Sequence, residues 1–315
     1  MQVLVDREPR DASKAVGQLP SLSNLEVLEA QACHILLEAR ATLGPLALMF
    51  SGGKDSACIA HLLGKLFPQG VLPRFIHYDS GDNFEEVLEF RDQVVRSLGA
   101  ELTIYNVVDA SSKGLIEAPL DGEGNVLALV ELISYSQREL GLQGLIGGGR
   151  RDEDPVRAKE RVFSVRDARG KWNPSVQRPE LWNTYNTELA DGEHLRIFPI
   201  SNWTERTVWE YIAAQGVPLP SLYYAHDREV ISRNGQLLAY FPDTKLLPGE
   251  SPTTKRVRCR TIGDRKTTGF IESNATDSHE VLAEILASNY SERAGRGEDS
   301  RAATSMEARK KNGWF

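Results

Sequence analysis

The sequence predicts an α/β fold, a mostly parallel sheet with helices on both faces, followed by an irregular C-terminal region. Three observations predict it. Short apolar runs at 46–50, 74–80, 101–107, 142–148 and 194–201 alternate with longer stretches whose apolar side chains recur at helical spacing. Those helical stretches are about three turns long, enough to carry the chain back to a parallel neighbour. Four of the strand ends run into polar or glycine-rich turns, at 51–56, 79–84, 147–154 and 201–204. Open parallel sheets bind ligands outside the carboxyl ends of their strands, so these four turns are where function is expected.

Taken in order, residues 1–23 read as a flexible leader and 24–43 as a helix with Leu25, Leu28, Ala32, Ile35, Leu36 and Ala39 on one face. The strand at 46–50 is followed by a helix at 55–67 that places Ile59, Leu62, Leu63 and Leu66 on one side. The strand at 74–80, a helix at 85–99 and a strand at 101–107 come next. A helix at 129–141 ends at Gly141, a residue suited to the left-handed position after a helix. Strands at 142–148 and 194–201 precede a helix at 204–216, with Thr204 as its N-cap. The α/β domain therefore spans 24–216, and 217–315 forms a C-terminal region and tail. Within it, 217–275 is rich in Pro, Gly and charge and reads as irregular, and a last helix falls at 277–289. His77, Trp203 and Trp209 read as core residues.

The 315 residues suffice for a sizeable core, and 41% apolar with 26% charged residues is ordinary for a globular protein. A formal net charge of −7 argues against nonspecific coating of nucleic acid. Cys33, Cys58 and Cys259 are far apart and form no C-x-x-C pair, which points to a reducing compartment and away from structural zinc. The early charges lack the apolar core of a signal peptide, and no run approaches a membrane span. A cytoplasmic protein is expected.

The stretch LALMFSGGKDSACIAHLL, 46–63, carries the chemistry. Gly52 and Gly53 allow a sharp turn and bring backbone N–H groups close to a ligand. The next helix begins there, so its unpaired N–H groups and positive dipole end face the same point. Ser51 and Ser56 add hydroxyls, and Lys54 adds a mobile positive charge. The turn suits phosphate. It is not a Walker A loop, because Leu48 stands where that motif needs its first glycine and Asp55 follows the lysine.

Ser51-Gly52-Gly53-Lys54-Asp55-Ser56 resembles the PP-loop, S-G-G-x-D-S, of the adenine nucleotide alpha hydrolase superfamily. That resemblance implies that the loop binds the pyrophosphate end of ATP while a nucleophile attacks the α-phosphorus. Further stretches are similar to the small-subunit family of sulfate adenylyltransferases. They are IHYDSGDNFEEVLEFRD (76–92), GGGRRDEDPVRAKERVFSVRD (147–167), NPSVQRPELWNTYN (173–186), LRIFPISNWTERTVWEYI (195–212), GFIESNA (269–275), SERAGR (291–296) and SMEARKKNGWF (305–315). The likeness runs from about residue 24 to the last residue.

The family likeness implies ATP and sulfate as substrates, a GTPase large subunit as partner contacted through the C-terminal region, and Mg²⁺ accompanying ATP. It implies ATP contacts from Ser51, Gly52, Gly53, Lys54, Asp55, Ser56, Asp79, Gly148 and Gly149. Sulfate and the α-phosphate are both negative, so cations must gather where they meet. Lys54, Arg150, Arg151 and Arg157 are the candidates, and Arg157 and Arg161 would share a face if 156–163 is helical. The same arginines could instead pair with Asp152, Glu153, Asp154 and Glu160 on a solvated face. Asp79 and Asp82 could hold Mg²⁺, or Asp79 could accept the N–H groups of its own turn.

Gly52 replaces the isoleucine of the small-subunit family's S-I-G-K-D-S, and the sequence departs from the family pattern in three further places. The family's D-T-G-W-K-F is Asp79-Ser80-Gly81-Asp82-Asn83-Phe84 here. The stretch 117–140 lacks the family's histidine and lysine, and R-T-L-G-C-W-P-L-T-G has become 260–269 with Asp264-Arg265-Lys266 at its centre. These departures bear on the acceptor and leave open a relative that adenylates something other than sulfate. A sulfonucleotide reductase would need a C-terminal cysteine motif, and no cysteine follows Cys259. A non-catalytic nucleotide-holding subunit is the reading from a different class.

Overall fold

The computed structural model describes residues 22–120, 125–155 and 157–287. Most of the expected leader and the stretches at 291–296 and 305–315 lie outside the described residues. Helix α1 (Asn24–Thr42) opens on a capping box in which Ser23 and Glu26 satisfy each other's backbone N–H groups. The expected alternation follows as β1 (Leu46–Met49), α2 (Lys54–Leu66), β2 (Arg74–Asp79), α3 (Glu85–Leu98) and β3 (Leu102–Asn106). A short helix α4 (Val107–Ser112), capped by Asn106, joins β3 towards α5 (Val126–Glu139). Strands β4 (Gly144–Ile146), β5 (Phe163–Arg166) and β6 (His194–Ile197) then lead to α6 (Glu205–Gln215). Gly141 is left-handed after α5, and the Thr204 hydroxyl accepts the Thr207 N–H at the start of α6, as their sequence positions predict.

The six strands lie in the order β3-β2-β1-β4-β6-β5. All neighbours are parallel except β5, which runs antiparallel to β6. The order turns back at β1. The chain builds outward through β2 and β3, then returns to place β4 on the other side. A crevice opens at such a switch point, between the carboxyl ends of β1 and β4.

One face of the sheet packs on α1, α2 and α6 through Leu48, Phe75, Ile146, Leu195, Ile197 and the buried Trp203 and Trp209. The other packs on α5 through Ala47, Ile76, Ile133 and Leu145. His77 is buried, with Nδ1 2.9 Å from the Phe50 carbonyl. A polar layer lies on the α5 side of β5 and β6. Arg166 donates to Glu160 at 2.5 Å, and Arg196 reaches the Met49 sulfur at 3.0 Å. Burial and these two arginines push the His194 imidazole down to about 2. The sequence reading missed β5, a four-residue strand that follows a run of charges. Its outer edge is covered by Glu180, which accepts the Val162 and Phe163 N–H groups, and by Gln177, which accepts that of Val165.

The segment expected to be irregular is instead a closed antiparallel barrel of β7 (His226–Arg233), β8 (Gln236–Ala239), β9 (Thr253–Cys259) and β10 (Gly269–Glu272), in the order β10-β8-β7-β9. Its interior holds Leu222, Val230, Ala239, Val257, Cys259 and Phe270, with Phe84 and Val87 of the α3 start inserted among them. Two of its strands are only four residues long, and β7 alternates charges outward, so no strong apolar period marks it. Closure, not local pattern, buries it. Helix α7 (Ser278–Ala287) returns to pack on α6, and Arg260 clamps Glu205 of α6 through two bonds at 2.8 and 2.6 Å. Among the described residues no helix is long and apolar enough to cross a membrane.

Candidate active site

A cleft of about 310 Å³ sits at the switch point. One half is polar, with Ser51, Gly53, Lys54, Asp55, Ser56, Gly148, Gly149 and Arg157 on its walls. The other half is apolar, lined by Met49, Ile76, Tyr78, Leu129, Ile133 and Phe198. The loop after β9, 261–264, and Tyr223 from the approach to the barrel close it. A polar pole beside an apolar slot of this size suits a phosphorylated ligand with a flat ring.

The polar pole is built by the turn after β1. Gly52 takes φ +77°, and a Cβ there would lie 2.7 Å from Val87 Cγ1, so the position demands glycine on both counts. Gly53 caps α2 with no side-chain bond, which leaves the helix start to other acceptors. Ser51 and Ser56 hydroxyls lie 3.2 Å apart, and Ser56 also donates to the Gly53 carbonyl at 2.9 Å. Lys54 is only 1% exposed, with Nζ 3.2 Å from Asp55 Oδ2. The Lys54 N–H donates to the Tyr223 hydroxyl at 2.9 Å.

Charges alternate away from this turn. Arg150 Nε donates to Asp55 Oδ1 at 2.7 Å, and Glu153 lies 3.6 Å from Arg150 and 2.5 Å from Arg157 NH1. Arg150, a candidate to meet the anion, is fully buried and stands behind the cleft wall, where it holds Asp55 and Glu153. Arg151 points elsewhere: its side chain donates to Asn202 and its backbone to the Ser201 carbonyl. Arg157 faces the cleft. It lies in a single 3-10 turn, Arg157–Lys159, followed by β5, so it and the exposed Arg161 do not share a helix face. Carboxylates thus pair Arg150 and Arg157 inside the fold rather than on a solvated face. Gly148 has a structural reason of its own. A Cβ there would come within 2.9 Å of Asp55 Cβ, so β4 reaches the start of α2 only as glycine.

In the acidic turn after β2 the carboxylate oxygens are engaged by the protein itself, apart from the buried Asp82 Oδ2, which has no hydrogen-bond partner. Asp79 Oδ1 accepts the Gly81 N–H at 2.8 Å and Asn83 Nδ2 at 2.6 Å, and its Oδ2 accepts Asn106 Nδ2 at 2.9 Å. Asp82 Oδ1 is taken by Arg265 at 2.7 Å and Lys266 at 3.3 Å. Among the described residues no group of three or more His, Cys, Asp and Glu side chains gathers as a metal cluster. Asp79 is the turn acceptor of its own loop, and Asp82 is a partner of the barrel.

Residues 45–270 match the phosphoadenosine phosphosulfate reductase domain family. Sulfate adenylyltransferase subunit 2 of Streptomyces lavendulae is 43% identical over 308 residues, which cover 97% of this chain and 96% of its own. The protein of that name from Mycolicibacterium vanbaalenii is 45% identical over 296 residues, 93% and 95% of the two chains. The chain belongs to the sulfate adenylyltransferase subunit 2 family. Among solved structures, the phosphoadenylyl-sulfate (PAPS) reductase of Candida auris aligns over 64% of this chain and 91% of its own, at TM-score 0.43 and 18% identity.

The three further departures from the subunit 2 pattern meet in space. Asp82 pairs with Arg265 and Lys266, Ser80 donates to Asp264, and Asn125 from the 117–140 stretch donates to the Ser80 carbonyl at 2.7 Å. They form one compensated wall beside the cleft, to which Ser80, Asn83 and Asp264 contribute lining. Sequence reasoning missed Tyr223 and the apolar slot. Tyr223 lies in SLYYAH, which carries no motif, and the slot residues come from β1, β2, α5 and the turn after β6.

Proposed function

We propose that this chain is the adenylyl-transferring subunit of an ATP sulfurylase of sulfate assimilation. A sulfate oxygen attacks the α-phosphorus of ATP, the bond from that phosphorus to the β-phosphate oxygen breaks, and adenylylsulfate and pyrophosphate form. Sulfate brings no proton that must be removed, so the step requires no general base. The adenine fits the apolar slot. The phosphates fit the pole made by Ser51, Ser56, Lys54 and the α2 start, where helix dipole and lysine both favour negative charge. Arg157, which lines the cleft beside Gly149, is the cation assigned here to meet the acceptor. Mg²⁺ enters as part of the MgATP substrate, held by phosphate oxygens and water.

The observation that carries the reading is family membership along nearly the whole chain, joined to this phosphate pole at the switch point. The family name contains "subunit 2", which supports a heteromer with a subunit 1. The product anhydride is higher in free energy than the one it replaces, so a GTPase partner is the expected coupling device. Cytoplasm is the expected compartment, where unpaired Cys33, Cys58 and Cys259 stay reduced. A reductase reading meets a physical obstacle. Cys259 is buried in the barrel, and burial pushes its thiol up, away from a reactive thiolate.

The test is pyrophosphate release from ATP, with and without sulfate, with molybdate as a sulfate mimic, and with a subunit 1 GTPase and GTP added. Anion-dependent release, raised by the GTPase, is the expected result. Release that ignores both anions would reassign the acceptor, and no release under any condition would favour a non-catalytic subunit.

A further inference from the structure

Tyr223 is 1% exposed, yet its hydroxyl lies at the phosphate pole. The ring is fixed edge-on against Trp209, with centroids 5.9 Å apart. Its neighbour Leu222 is anchored in the barrel core. The oxygen accepts the Lys54 N–H at 2.9 Å and stands 3.5 Å from where a Cβ on Gly53 would be. It therefore occupies a helix-start N–H that a phosphate oxygen would otherwise take. A phenol that accepts one bond still has its own proton to give. Among the described residues Tyr223 makes no second hydrogen bond, and the cleft is what its hydroxyl faces. Burial raises the phenol, so it stays protonated and able to donate.

We propose that Tyr223 is a phosphate-binding residue: its hydroxyl relays the Lys54 N–H and donates its own proton to a non-bridging oxygen of the ATP triphosphate. This rests on the adenylyl-transfer reading, which puts those phosphates in the cleft. Accepting from a backbone N–H polarises the phenol and strengthens it as a donor. The residue also makes the phosphate site a joint product of the sheet and the barrel, because the donor arrives on the chain segment that enters the barrel.

The experiment compares full-length wild type and Tyr223→Phe by calorimetric titration with ATP and with adenosine, alongside thermal unfolding. The variant keeps the ring and loses only the hydroxyl. ATP affinity should fall about tenfold, as expected for a hydrogen bond to a charged acceptor, while adenosine affinity stays within about twofold. A folded variant that binds ATP as tightly as wild type, or loses ATP and adenosine affinity alike, overturns the proposal. If the variant does not fold, 3-fluorotyrosine at position 223 serves instead. That stronger donor should bind ATP more tightly, and unchanged or weaker binding counts against the relay. Failure of the wild type to bind ATP at all would overturn the adenylyl-transfer reading itself, a result distinct from a silent variant.

Discussion

Replacing Lys54 with Ala is expected to lower pyrophosphate release by at least about tenfold while leaving the fold in place. The ammonium is buried at the first position of α2, 3.2 Å from Asp55 Oδ2, and lines the cleft. Solvent screens it little there, so its charge acts on phosphate more strongly than a surface lysine would. Its protein partner Asp55 keeps the Arg150 bond at 2.7 Å, so losing the lysine does not strand that carboxylate. The loss should appear in kcat as well as in KM, since negative charge shifts onto the leaving pyrophosphate as the bond breaks. Lys54→Arg tests geometry against charge. Arginine carries its charge on a larger planar fork and Lys54 is buried, so the arginine variant should also be impaired. Steady-state kinetics of both variants, with far-UV circular dichroism to check the fold, measure this. Wild-type turnover in a folded Lys54→Ala protein would remove the lysine from the mechanism.

The second large effect is on stability. Arg150→Met should lower the unfolding free energy by about 3 kcal/mol, the low end for breaking a buried ion pair. Asp55 and Glu153 both lose a cation, but each retains another, Lys54 and Arg157 respectively. ATP binding should weaken as well, because the Asp55 side chain at the helix start is no longer anchored to the strand end. The double variant Asp55→Asn, Arg150→Met should recover part of the loss, since the unpaired charge is then gone. Urea unfolding of the three proteins reads this directly. An Arg150→Met protein as stable as wild type would show that the charge chain behind the cleft does not hold it.

The parts of the fold with strong local signals were legible in the sequence. The strand at 46–49 and the helix at 54–66 follow from an apolar run, a glycine turn and a 3.6-residue period, and the cradle between them is where that pattern places it. The barrel was not legible, because its short strands become apolar inside only when all four close on Phe84 and Val87. The arginines were legible as a cluster but not as individuals. Arg150, Arg151 and Arg157 sit within eight positions, yet one is buried behind the wall, one turns to Asn202 and one faces the cleft. Which carboxylate captures which guanidinium depends on how 150–163 turns, and that segment holds a 3-10 turn where a helix was conceivable. The departures at 80–83, 117–140 and 264–266 looked independent along the chain. Their contact through Asp82, Arg265, Lys266 and Asn125 makes them one change in one wall.

The central claim is that this cleft transfers the adenylyl group of ATP to sulfate. Its most direct test follows the α-phosphorus. The chain, with a subunit 1 GTPase, GTP and inorganic pyrophosphatase, would be given ATP labelled with ³²P at that position together with sulfate, and the nucleotide products separated. Label recovered as adenylylsulfate, and only when sulfate is present, is the predicted result. Label that stays in ATP, or passes to another adenylate regardless of sulfate, would contradict the account.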